Sequence, residues 1–347
     1  MYSEGDLESA VAAGAITAEA ADALRAHVAA ERSSPAVDEE NFRLITSFND
    51  IFVTIAIVML MVALGGIGGA MHAFVAAALI AGASWGLAEF FTRKRRMALP
   101  SIVLLLTFVG GVIAGPFLLL GDADLEDRLR AVLEPLIFVA GAGSAWLHWH
   151  RFKVPITVAA GTACLAALVF ALIAAAIALD SGVLFNSIFL PLTFASGLVV
   201  FAFAMWWDMS DRERETRRSD VAFWLHLLAA PMIAHPIFYS IGVTSGQNIG
   251  VGSVAAVLAV YIAMGLVALA VDRRALLVSA LAYVLFAVTW LFDRFGAVEL
   301  NVALTALVIG SALLCLSAFW TPIRAKVVAR LPTEVREKLP VLGVLPA

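Results

Sequence analysis

The sequence predicts an all-α protein: a polytopic transmembrane helical bundle of about ten spans, preceded by a small cytoplasmic helical hairpin. Three observations carry that prediction. The 347 residues are 62% hydrophobic and only 14% charged, with a mean hydropathy of +0.95, whereas a soluble domain carries about 25% charged residues. The apolar residues fall into blocks about as long as a helix needs to cross a bilayer, roughly 20 residues. The stretches between blocks alternate between basic and nearly free of basic residues, as the positive-inside rule requires.

Residues 1–48 come first and are polar enough to be soluble. Leu7, Ala10 and Val11 lie at helical spacing, and Gly14 ends that helix. Thr17 is placed to cap a second helix with Glu19 in its first turn, and Leu24 and Val28 form an i, i+4 apolar pair on it. Ser33-Ser34-Pro35 is a linker. No apolar core of a cleavable signal peptide lies in this stretch, so the first apolar block is expected to act as the insertion signal.

Ten spans follow, at residues 50–67, 70–90, 98–120, 131–150, 154–179, 183–207, 220–242, 250–271, 275–292 and 299–321. The run Gly65-Gly66-Ile67-Gly68-Gly69 is expected to be the turn between the first two, because one helix of about 40 residues would overrun the bilayer. Basic clusters follow every second span: Arg93–Arg96, Arg151 and Lys153, Arg212–Arg218, Arg273-Arg274, and Arg324 onward. Counting both tails, 20 of the 23 basic residues fall on one side. That asymmetry places both termini in the cytoplasm. Nineteen arginines against four lysines, with abundant alanine, suggest a GC-rich bacterial source and hence a bacterial inner membrane. The chain thus divides into a hairpin and linker (1–48), a ten-span domain (49–321) and a C-terminal tail (322–347). A weak internal echo joins Ile113-Ala114-Gly115-Pro116 to Ile233-Ala234-His235-Pro236 at an offset of four spans, which would make any repeat parallel.

The seventh span, 220–242, is expected to be central. Pro231 and Pro236 lack an N–H and free the carbonyls of Leu227 and Met232, which is tolerated inside a bundle or beside a wet cavity but poorly in lipid. The span also carries His226 and His235, nine residues and roughly 180° apart, so they share no ligand on a straight helix, and only a bend at the prolines would bring them together. His235 shares a face with Tyr239. It either handles a proton or a polar solute within the membrane or bonds a proline-freed carbonyl. Glu134, beside Pro135, is either an intramembrane carboxylate in the same layer or the start of a helix following a surface segment, 124–133. Asn186, Glu299 and Asn301 belong to that outer layer by depth, and with Tyr239 they would form a polar vestibule.

Other polar residues fit interfacial roles. His72, His148 and His150 sit at span ends, as do Trp146, Trp149, Trp206, Trp207 and Trp320. The i, i+2 spacing of His148 and His150 argues against a shared metal. Glu89 and Asp208 close spans beside arginines and are expected to pair with them at the interface. Cys164 and Cys315 lie in apolar blocks as core fillers, with neither a disulfide nor a metal site implied. No phosphate-binding glycine loop, zinc helix or nucleophile elbow is present, so no cofactor is expected, and a third reading, an intramembrane enzyme acting on lipid, has no motif behind it. The short basic loops suit anionic lipid headgroups rather than nucleic acid.

The segment Leu7 to Glu19 resembles the helical hairpin that opens bacterial membrane proteins of the DUF2157 type. The runs Phe42–Asp50 and Trp85–Pro100 resemble segments of similar multi-span proteins. The resemblance covers about the first third of the chain and implies the architecture, with no established activity. The leading functional expectation is a small-solute transporter or permease, proton-coupled through His235 or Glu134. The alternative is a membrane scaffold or sensor that recruits a protein partner through residues 1–48 and the basic loops, its polar span residues serving as packing glue.

Overall fold

Inside a bilayer every backbone N–H and C=O must find a partner within the protein, and each apolar block accordingly folds as a helix. The computed structural model describes residues 4–24, 48–177, 185–214, 216–242, 250–294 and 300–341. The described part of the N-terminal tail forms one compact unit and the residues from Phe48 onward belong to a second.

In the tail, α1 (Glu4–Ala12) ends where Gly14 adopts φ +70, a conformation that suits glycine. A second helix, α2 (18–24), begins with Thr17 Oγ1 accepting the Ala20 N–H at 3.1 Å, the cap its sequence predicts. Val28 and the Ser33–Pro35 linker lie outside the described residues.

The second unit contains α3 (Phe48–Gly69), α4 (Ala73–Ala88, extended by a π-turn Glu89–Lys94), α5 (Ala98–Asp122), α6 (Asp127–Phe152) and α7 (Ile156–Ile177). A π-turn, Phe185–Phe189, opens α8 (Leu190–Met209). Then come α9 (Arg217–Ser240), α10 (Val251–Val271), α11 (Ala275–Arg294) and α12 (Asn301–Ala318), followed by the shorter α13 (Trp320–Ala329) and α14 (Thr333–Arg336). Ten of these, α3 to α12, are long and apolar enough to cross a membrane, and they define a multi-pass membrane protein. Phe52, Met59, Val62 and Leu314 are exposed on them, as lipid-facing side chains are.

Small residues set the spacing of the helices. A Cβ on Gly68 would lie 2.5 Å from Ala76 Cα, one on Gly111 2.8 Å from Ala77 O, and one on Gly197 2.9 Å from Met232 Cβ. The glycine run 65–69 is therefore not the turn expected from sequence. α3 continues through it to Gly69, and Gly68 is there to let α4 approach. The reversal falls at Ala70–Met71, with His72 Nδ1 accepting the Phe74 N–H at 3.2 Å to start α4. Ser84 and Thr107 join α4 to α5 through a 2.7 Å hydroxyl pair.

The first five spans pack mainly among themselves, the last five likewise, and α7 against α9 links the two groups. α9 is the central helix: half of its apolar stretch is buried, against 11% for α12. It runs unbroken through both prolines, Pro231 exposed and Pro236 buried.

Four turns at the basic end share one device. Each holds a non-glycine residue in the left-handed region: Arg96, Lys153, Arg214 and Asp272. At three of them the following residue turns inward and is buried: Met97, Val154 and Arg273. The C-terminal segment is not a loose tail. Val328 of α13 and Leu339 beyond α14 pack against Val271.

Candidate functional site

Asp272 sits just past α10 with φ +60, and the Arg273 N–H bonds back to Ala268 O at 2.9 Å. This closure folds the residue after the left-handed position against the helix end, a place usually given to an apolar side chain. Here the place belongs to an arginine, so a cation is driven into the bundle and must be paired there.

Its partner is Asp208, in the last turn of α8 and fully buried. Arg273 Nη2 donates to Asp208 Oδ1 and, at 3.0 Å, to the carbonyl of Ser219 at the start of α9. Asp208 Oδ2 also receives His226 Nε2 at 2.8 Å. Because a carboxylate only accepts, Nε2 carries the hydrogen, and the other nitrogen, Nδ1, is buried with no partner among the described residues.

A second carboxylate extends the cluster. Asp272 Oδ2 accepts from Arg214 Nη1 at 2.9 Å, and Oδ1 from the Trp320 indole at 2.7 Å. Arg324 Nε lies 3.5 Å from the same oxygen, and its Nη2 donates to Pro340 O at 2.8 Å. Burial, reinforced by the neighbouring Arg273, lowers the pKa of Arg214 from its ordinary value, opposed by the charge of Asp272. Among the described residues three buried guanidiniums thus share these two buried carboxylates, tying together the end of α8, the start of α9, the α10–α11 turn and α13. Low polarity around such a cluster strengthens each contact and raises the cost of losing any one.

The sequence-predicted residues are distributed differently from the expected vestibule. His226 belongs to the charge cluster at the basic end. His235 stands apart, as its spacing from His226 requires. Its Nδ1 meets the Tyr283 hydroxyl of α11 at 2.7 Å, instead of a proline-freed carbonyl. Tyr239 is beside it, ring centroids 6.2 Å apart, and Phe238 stacks on Tyr283 at 4.4 Å. Glu134 is half-buried inside a continuous α6, which runs through Pro135, so no surface segment ends there. No described hydrogen bond or ion pair joins Glu134 to His235. Asn301 Oδ1 accepts the Val302 N–H at 2.6 Å in the first turn of α12. The side chain of Asn186 and all of Glu299 lie outside the described residues.

Several interfacial expectations are corrected. Asp208 does pair with an arginine, but in the interior, because Arg273 is turned inward. Trp320, expected in the aromatic belt, is 2% exposed and bonds Asp272. His148 is fully buried against Trp85, Phe108 and Phe152, with Nδ1 3.3 Å from Thr157 Oγ1. Cys315, expected as core, is exposed on α12, while Cys164 is buried. Glu89 behaves as expected: it pairs with Arg93 at 3.2 Å and, more tightly, with Arg151 at 2.7 Å. Among the described residues no cluster of three or more metal-ligating side chains occurs.

The sequence reading missed Arg273, Asp272, Arg214 and Arg324 as a unit. The available signal was Asp272 before two arginines, an acid in an otherwise basic turn. A scan of family models found no match to this chain, and searches of curated proteins and of solved structures found none either.

Proposed function

We propose that this multi-pass protein is a secondary transporter or permease for a small solute in a bacterial inner membrane, its termini cytoplasmic. In this reading the cytoplasmic end is shut by the Asp208–Arg273–Asp272 cluster. One observation carries it: the most buried of the described spans holds a histidine bonded to a buried aspartate, with its second nitrogen an acceptor that has no partner among the described residues. Ionisable groups inside spans are costly and mark ion or solute pathways. A proton arriving at His226 Nδ1 adds positive charge beside Arg273 and so weakens the pairings that hold the end closed. Coupling of proton binding to opening follows from that competition.

Purified protein in vesicles with a trapped pH dye tests it. Under an imposed potential, His226→Gln should abolish a proton influx that Tyr283→Phe leaves in place. Alongside, Ser219→Cys, in a background lacking Cys164 and Cys315, should be protected from an impermeant maleimide at rest and labelled when Asp272→Asn is added. Absence of proton flux in the wild type, together with protection of position 219 in both backgrounds, would sink the reading.

The scaffold or sensor alternative is favoured by one feature, the closure of His235 on Tyr283 within an apolar packing cluster. It predicts that Tyr239→Cys stays unlabelled from either side, energised or not.

A further inference from the structure

A cavity of about 590 Å³ opens at the basic end between the ends of α6 and α8 and the start of α9. Lys153, Arg217 and Arg218 line it, with Trp149 and Trp207 as walls, and no acidic side chain among its described lining residues. Five other arginines of this end are paired with carboxylates: Arg93 and Arg151 share Glu89, while Arg214, Arg273 and Arg324 share Asp208 and Asp272. The three cations of the cavity have no carboxylate within ion-pairing distance among the described residues. Lys153 Nζ instead rests 5.2 Å from the ring centre of Trp149. The Trp207 indole N–H is buried and has no acceptor among the described residues, a state that buried donors rarely keep.

The hydroxyls of the cavity are already donating inward, Ser210 to Trp207 O at 2.7 Å and Thr216 to Asp211 Oδ2 at 2.6 Å. Asp211 also takes the Thr216 and Ser219 N–H groups at 3.0 and 3.3 Å, so the start of α9 is capped from within. Recognition therefore falls to the three cationic side chains and the indole. Concentrated positive charge, an N–H donor unused among the described residues and no acid in the described lining call for an anion with several acceptor oxygens.

We propose that this cavity binds a phosphate group, held by Lys153, Arg217 and Arg218 and by a hydrogen bond from the Trp207 indole. Trp146 and Trp206, on adjoining turns, are 62% and 58% exposed, as indoles at the membrane–water boundary are. The cavity is thus level with headgroups, and basic pockets between spans bind anionic lipid heads. A phosphate monoester, on a lipid or on a soluble ester, is the shared chemistry. The proposal does not depend on the transport reading.

Native mass spectrometry of the full chain, titrated with phosphatidic acid or phosphatidylcholine, tests it. Phosphatidic acid should bind at least about tenfold more tightly, and Trp207→Phe should weaken it about tenfold, the worth of one charge-assisted hydrogen bond. Lys153→Gln/Arg217→Gln/Arg218→Gln should abolish the preference; these side chains make no ion pair among the described residues, so the fold should be retained. The same charge removed at exposed positions, Lys326→Gln/Arg330→Gln/Arg336→Gln, should leave it intact. Displacement of the lipid by glycerol 3-phosphate would identify a soluble ester as the source, and its failure a lipid. Equal binding of both lipids, or equal loss in the two triple variants, would overturn the proposal.

Discussion

Asp208 accepts from two different elements and is fully buried, which makes its loss costly. Asp208→Asn leaves Arg273 buried without its counter-charge, and removing one partner of a buried pair costs about 3–5 kcal/mol. The expected outcome is a marked fall in thermal midpoint in detergent, partly restored by adding Arg273→Met, since an apolar side chain of similar volume tolerates the site. If the double variant unfolds below the single one, the charge pairing is not what stabilises this end. The two cysteines give an independent check on the same scale. Cys315 is exposed on α12 within the apolar part of its span, whereas Cys164 is buried between helices. A membrane-permeant maleimide should label Cys315 and spare Cys164, and a charged, impermeant one should label neither in intact vesicles.

Helix pairs, at the next scale, meet through single glycines. Gly197 of α8 faces Ile233 Cγ1 and Met232 Cβ at 2.9 Å and the Met232 carbonyl carbon at 3.0 Å. Backbone does not yield as a flexible side chain would, so Gly197→Ala should push α8 off α9 and lower stability by about 1–3 kcal/mol. Gly66, on the same kind of helix, has nothing within 4 Å of its would-be Cβ. Gly66→Ala should be neutral or raise stability by up to about 1 kcal/mol through helix propensity. Paired thermal-shift measurements decide between glycine as a contact surface and glycine as a mere composition effect. α13 is the other element with a defined role, since Trp320 and Arg324 are buried and both reach Asp272.

Across the ten-span unit, the basic end is held by more than apolar packing. At the basic end, charge pairs and left-handed turns fix the ends of α8 and α9, the α10–α11 turn and α13 to each other. Truncation after Ser317 removes Trp320 and Arg324 together, so it should loosen that end even though all but one residue of the tenth span remains. Limited proteolysis should then cut the turn around Arg273-Arg274, which the full chain protects; an unchanged digestion pattern would show that α13 is dispensable. Fusion of green fluorescent protein and of alkaline phosphatase to the C-terminus reports orientation, with fluorescence and no phosphatase activity expected for a cytoplasmic end.

The number of spans, their bounds to within a few residues and the hairpin caps at Gly14 and Thr17 followed from sequence alone. Those features depend on local quantities: apolar length, turn chemistry and the distribution of charge between loops. The same local view fixed His226 and His235 as separate sites, because helical spacing alone keeps them apart. What sequence left open depends on which way a side chain is turned. Arg273 and Arg274 are adjacent and chemically alike, yet only Arg273 follows the left-handed Asp272 and is carried into the bundle. That single turn decides that Asp208 is an interior anchor, that His226 has an acceptor, and that Trp320 leaves the membrane boundary for the core. The physical reason is that burying a guanidinium demands its partners in three dimensions, and those partners lie 54 and 65 residues away along the chain.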